Sequence, residues 1–226
     1  MSENRDDSQP RPLELGRSAL PSTYVLLIRH ARQDLVTPGF GSDPPLTPDG
    51  LEQADLLARR LDALTLAAVY ASTLRRAVDT AAPVAAAHDV PLQQRAALDE
   101  TDIGSWADGE FRRRTASGDP AMLEFKRTGR WDSLPVGEGD ASLRTRTTKA
   151  VLDIAAAHRG ATVAIVSHSG AINAVLAQVT GAERTVLAAL DHTSVTTLQC
   201  ADDGVTVLAV NDVRHLPDPL LRLGSH

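Results

Sequence analysis

Two apolar runs end in a histidine, and that pairing constrains the fold more than any other feature. Tyr24–Ile28 leads straight into Arg29-His30, and Val163–Val166 leads into Ser167-His168. An unbroken apolar run of this length reads as a strand buried on both faces, as in a parallel sheet covered by helices. Two such strands in one sheet deliver a histidine each to the same edge. In open α/β sheets the carboxyl edge is where ligands bind. Arginine offers a planar donor fork that suits phosphate or carboxylate. Histidine serves as nucleophile or proton carrier near neutral pH.

The remaining segments predict helices between the strands. Thr47-Pro48 reads as an N-cap followed by proline at the first helical position, opening a helix to about Leu64. Ala67–Ala71 reads as a strand and Ser72 as the cap of a helix to about His88. An extended piece follows near Pro91–Gln94. Ser142–His158 reads as a helix, 162–167 as a strand and 170–179 as a helix. Thr193–Gln199 and Val205–Val210 flank Asp203-Gly204, a hairpin signal. This alternation predicts a three-layer α/β/α sandwich with a mostly parallel central sheet.

The expected organisation is one domain over 23–216, with a flexible tail at 1–22 and a second tail at 217–226. The insert 107–137 carries Phe111, Met122, Phe125 and Trp131 in a chain with only 3% aromatics, which predicts a lid with its own small apolar contact. A net charge of −6 argues against general nucleic-acid binding. No apolar stretch is long enough to span a membrane. Cys200 is the only cysteine. It excludes an intrachain disulfide and a cysteine-based zinc site, and it is compatible with a reducing cytoplasm.

Four stretches carry the chemistry: LLIRHARQD at 26–34, YASTLRRAVDTA at 70–81, LDETDIGSW at 98–106 and VSHSG at 166–170. In this order they resemble the histidine phosphatase superfamily, also called the phosphoglycerate mutase-like family. LTPDGLEQA at 46–54, PVGEG at 135–139 and HTSVTTL at 192–198 add lesser matches. The resemblance spans Tyr24 to Leu216. It implies that His30 is the phosphorylated nucleophile, Arg29 and Arg76 are phosphate ligands, Glu100 is the proton donor and His168 is a second phosphate-binding histidine. Arg75 falls at a variable position and is expected to face solvent. Arg32 and Ser169 are further phosphate-binding candidates, although Ser169 also reads as an N-cap. Ser167 is divided between phosphate and a backbone carbonyl. Asp99 and Asp102 read as loop or capping carboxylates, His192 as a residue of the pocket rim, and Trp106 and Cys200 as packing residues.

Phosphoryl transfer needs charge on the equatorial oxygens and an in-line nucleophile. Two arginines and a histidinium would supply that charge without a metal or other cofactor. The second ring nitrogen of His30 is expected to donate to a backbone carbonyl and so set the tautomer. A small phosphorylated metabolite is the implied substrate, and a homodimer is left open by the edge strands.

The sequence departs from the family pattern in three places. Ala31 replaces a glycine, which the backbone tolerates if its φ is negative. Arg32-Gln33 replaces a common Glu-Thr pair, and Val36 stands where many members carry asparagine. Gln33, Leu35, Val36 and the late SHSGAIN text favour hydrolysis over mutase-type transfer. The same residues leave open a member recruited to a biosynthetic step and a non-catalytic phosphate-binding module.

Overall fold

The computed structural model describes residues 21–35 and 43–217. Val36, His226 and most of both expected tails lie outside the described residues. Six strands form one sheet: β1 (Thr23–Arg29), β2 (Leu66–Ala71), β3 (Leu92–Gln94), β4 (Thr162–Ser167), β5 (Val195–Ala201) and β6 (Gly204–Asp212), in spatial order β3-β2-β4-β1-β5-β6. β3, β2, β4 and β1 are parallel neighbours, while β5 and β6 run as an antiparallel hairpin against β1. The helices are α1 (Pro48–Leu61), α2 (Arg75–Ala87), α3 (Glu110–Ser117), α4 (Pro120–Thr128), α5 (Gly139–Ala157) and α6 (Ser169–Thr180).

Strand periodicity divides the core in two. Val25 and Leu27 join Val163 and Ile165 on one face, packed on Val151 and Ile154 of α5 and Ile172 and Val175 of α6. Leu26 and Ile28 join Ala164 and Val166 on the other face, packed on Leu57 and Leu61 of α1 and Ala77, Ala81 and Val84 of α2. Residues that alternate along a strand point to opposite faces, so an unbroken apolar run is what two covered faces require. Each buried Leu, Ile or Val side chain stabilises the fold by about 1.5–3 kcal/mol. The three-layer sandwich is therefore as expected. No described helix is long and apolar enough to cross a membrane.

Element boundaries moved in several places. α1 ends at Leu61, and Leu64 lies beyond it. α2 is entered from Leu74, so Ser72 is not its N-cap. The Ser72 hydroxyl instead accepts the Leu74 N–H at 3.1 Å. α5 begins three residues earlier than the periodicity indicated, at Gly139. β5 begins at Val195, because Thr193 has a φ of +56°, which a strand cannot contain. Ala31 is not among the residues of positive φ and is fully buried, so its methyl replaces a glycine hydrogen without backbone strain.

Candidate active site

Parallel pairing of β1 with β4 sets Arg29 opposite Ser167, so the next residues, His30 and His168, leave the sheet side by side. The His30 N–H donates to the Ser167 carbonyl at 2.9 Å, and the Ser72 N–H donates to the Val166 carbonyl at 3.0 Å. The carboxyl ends of β1, β2 and β4 are thus tied together by backbone bonds. The Thr193 N–H donates to the Arg29 carbonyl at 2.9 Å and brings the entry to β5 over the same point. His30 and His168 have ring centroids 5.1 Å apart, and His192 lies 5.6 Å from His30 on another side.

His30 is buried, and its Nδ1 lies 2.8 Å from the Ala31 carbonyl. A carbonyl only accepts, so Nδ1 carries the proton and Nε2 keeps its lone pair. The expected backbone partner is present, and it is the carbonyl of the next residue. Burial, followed by the facing His168, Arg76, Arg29 and His192, holds His30 well below the ordinary imidazole range.

His168 is fully buried, and its Nε2 lies 2.7 Å from the Ser72 hydroxyl. Its Nδ1 is buried with no hydrogen-bond partner among the described residues. Burial, then Arg76, Arg29 and Arg146, holds this ring well below its usual value too. Desolvation and three nearby cations disfavour a proton on this ring in the ligand-free protein.

Arg29 and Arg76 supply the positive charge. Arg29 Nη1 donates to the Leu190 carbonyl, and its buried Nε has no partner among the described residues. Arg76 is 6% exposed and donates to Asp43 at 3.2 Å. Burial lowers both guanidinium pKa values, with Glu100 the largest opposing influence on each. Both remain cations at any relevant pH.

Glu100 reaches the amino end of α6. Its Oε1 accepts the Thr101 and Ala171 N–H groups at 3.0 and 3.1 Å, and its Oε2 accepts the Gly170 N–H at 3.2 Å. A Cβ on Gly170 would collide with Glu100 Oε1 and stand 3.1 Å from Trp131 Cζ2. Glycine there lets the carboxylate and the insert's indole close on α6 together.

The other candidates scatter. Arg32 is engaged by Asp49 at 3.1 Å, at the start of α1. Ser169 is the first residue of α6 and not its cap; His168 holds the N-cap position, without a side-chain cap bond. The Ser167 hydroxyl donates to the Leu98 carbonyl at 2.7 Å, which settles it on backbone. Asp99 accepts the Thr73 N–H and hydroxyl, both at 2.7 Å, and Asp102 accepts the Gly104 N–H at 2.7 Å. Arg75 is largely exposed beside Asp79. Trp106 and Cys200 are buried as expected. His158, at the end of α5, pairs with the Tyr70 hydroxyl at 3.0 Å. His215, which carried no motif, meets Thr193 Oγ1 at 3.1 Å behind the site.

Sequence reasoning missed Ser72 as the partner of His168. It also missed the turn 191–194. Thr193 is buried and β-branched at positive φ, a strained conformation of the kind that gathers at functional sites. The same turn carries His192, whose ring centroid lies 5.6 Å from that of His30. Among the described residues no group of three or more His, Cys, Asp or Glu is placed to hold a metal ion.

Comparison with known proteins gives the family and the fold. The family model for the histidine phosphatase superfamily (branch 1) matches residues 25–213. A protein of Hydrogenobacter thermophilus named phosphoserine phosphatase 1 is 26% identical over 208 residues, covering 85% of this chain and 93% of its own. A metal-independent phosphoserine phosphatase of Arabidopsis thaliana is 29% identical over 203 residues, covering 86% and 83%. The solved mycobacterial glucosyl-3-phosphoglycerate phosphatase superposes with a TM-score of 0.74 at 22% identity, covering 84% of this chain and 99% of that one, and shares its fold. With its four motifs gathered at one sheet edge and nearly its whole length matched, the chain belongs to the histidine phosphatase superfamily, branch 1.

Proposed function

We propose that the protein hydrolyses a phosphomonoester of a small metabolite in two in-line steps through a phosphohistidine on His30. One observation carries this reading. The Ala31 carbonyl occupies Nδ1 of His30, which leaves a neutral Nε2 lone pair among Arg29, Arg76 and His168. In the first step that lone pair attacks phosphorus as the bond to the leaving oxygen breaks. Glu100 gives the leaving oxygen its proton. In the second step Glu100 takes a proton from water, the water oxygen attacks phosphorus, and the P–N bond breaks to release phosphate and neutral His30.

The arginines meet the charge on the equatorial oxygens. Ser72 already accepts from Leu74, so its own proton is free to go to His168 Nε2. That arrangement leaves an Nδ1–H of His168 for a phosphoryl oxygen. The insert acts as a cover, with Trp131 packed over Gly170 beside Glu100. The names of the two curated relatives support a small phosphorylated acid as substrate. A single free cysteine, Cys200, is compatible with a reducing cytoplasm.

The reading is tested by rapid-quench labelling with a phosphorylated substrate. The expected adduct is acid-labile and base-stable, is absent from His30→Ala, and forms undiminished in EDTA. An adduct on another residue, or turnover that stops on chelation and returns with metal, overturns it.

A further inference from the structure

Glu100 lies on a segment, 99–103, that has no regular secondary structure. Its place must therefore be set by something outside the segment. Arg146, in the middle of α5, supplies it. Nη1 donates to the carbonyls of Ala97 and Asp99 at 3.0 and 2.9 Å, and Nη2 donates to the carbonyl of Glu100 itself at 2.9 Å. Nε and Nη2 also donate to Glu138, at 2.9 and 2.5 Å. A guanidinium has five N–H donors. All five are engaged, so none is left for a substrate.

Glu138 closes the device. Its Oε1 accepts the Asp102 N–H at 3.0 Å, and its own N–H donates to the Asp102 carbonyl at 3.0 Å. Gly137 makes that approach attainable: it has a φ of +99°, and a Cβ there would strike the Asp102 carbonyl. The segment is thus held on both sides of Glu100, through Ala97, Asp99 and Glu100 by Arg146 and through Asp102 by Glu138. Burial alone would raise the Glu138 pKa. The hydrogen bond from Arg146, the Asp102 N–H and the Arg146 charge outweigh it and keep the carboxylate ionised against its partner.

We propose that Arg146, locked by Glu138, is a positioning residue for the proton donor, and that proton delivery to the leaving group depends on this clamp. The proposal rests on the reading of Glu100 as general acid. A shift of about 1 Å in a reacting group costs up to about a hundredfold in rate. A lysine cannot replace the clamp, since its donors radiate from one atom and cannot span three carbonyls and a carboxylate.

The test compares O-phosphoserine, whose leaving alkoxide needs a proton, with p-nitrophenyl phosphate, whose leaving group needs little. Single-turnover phosphorylation of His30 is measured for the full chain and for Glu100→Gln, Arg146→Lys, Arg146→Ala and Glu138→Gln, with folding checked by circular dichroism. Glu100→Gln is expected to lose at least about tenfold more on phosphoserine than on the aryl ester. Arg146→Lys and Arg146→Ala are expected to show the same gap, and Glu138→Gln a smaller one. In the Glu100→Gln background, Arg146→Lys should add no further gap. If Glu100→Gln itself shows no gap, the acid reading fails. If Glu100→Gln shows the gap but folded Arg146→Lys and Glu138→Gln do not, or lose equally on both substrates, the positioning role alone is overturned. If Arg146→Ala does not fold, those two milder variants decide. Failure of all three to fold would make the clamp a fold element only and would also overturn the proposal.

Discussion

His30 and His168 leave strands whose inner residues Val25, Ile28, Val163 and Val166 are fully buried. The covering insert is built differently. Helix α3 buries none of its residues, and α4 buries only Met122. Trp106, Met122 and Leu134 form a separate cluster there, edged by Phe111, Phe125 and Trp131. The surface of α3 carries exposed ion pairs such as Glu110–Arg113, which contribute little in water. The cover is pinned at one end. Buried Asp140 accepts the Trp131 and Asp132 N–H groups at 3.1 and 3.2 Å, and the Gly129 carbonyl accepts from Thr185 and Val186. The proposed catalytic histidines thus leave deeply buried strands, while the proposed cover rests on a small core of its own. Regions with few buried apolar contacts open at lower free energy than the core.

The largest effect expected from this contrast is on catalysis. Arg76→Ala should lose about 2–4 kcal/mol of transition-state stabilisation, read as kcat/KM with p-nitrophenyl phosphate. Arg113→Ala, an exposed cation of the cover, should change the same quantity by less than about twofold. Similar losses in both would erase the distinction between site and cover.

A smaller effect should separate the two regions by stability. Met122→Ala removes a side chain that is 1% exposed in the cover's cluster. Amide exchange over 110–134 should speed up by the equivalent of about 2–5 kcal/mol. Amides of β1 and β4 should keep their protection. If the strand amides lose protection to the same degree, the cover unfolds with the sheet and is not a separate unit.

The smallest effect concerns pH. Burial pushes His30 and His168 well below their ordinary value, and burial with Arg60 pushes His215 down to about 4. A folded chain that holds these rings neutral binds fewer protons than the unfolded chain. Its stability is therefore fully present above the ordinary value of 6.5 and is lost as pH falls toward the folded values. The urea midpoint should drop between pH 7 and pH 4.5, and His215→Asn should flatten that decline slightly. A midpoint that rises on acidification contradicts the assignment.

The strand ends, the helix faces and the convergence of Arg29, His30, Arg76, Glu100 and His168 were legible in the chain. Each rests on a local pattern: an apolar run, a helical spacing, a motif of a few residues. Arg146 was not legible, because it lies in a well-formed helix and nothing in its neighbours marks it as the one that reaches back 46 to 49 residues to the carbonyls of 97–100. Ser72 was read as a cap because a serine before a helix usually is one. Its bond to His168 spans 96 residues and exists only once β2 and β4 are paired. The lowered pKa of His168 was hidden for a related reason. A ring's charge depends on which cations the fold packs around it and how much water it removes.

The linear order of residues thus determined the three layers, the sheet edge at which the motifs gather and the residue types assembled there. Hydrophobic period and motif spacing act over a few positions and need no tertiary information. The tertiary structure alone decided the lowered pKa values of both histidines, the turn that carries His192 and the hydrogen bonds from Arg146 to the segment around Glu100. Those depend on desolvation and on hydrogen bonds between distant segments, which have no counterpart in local sequence.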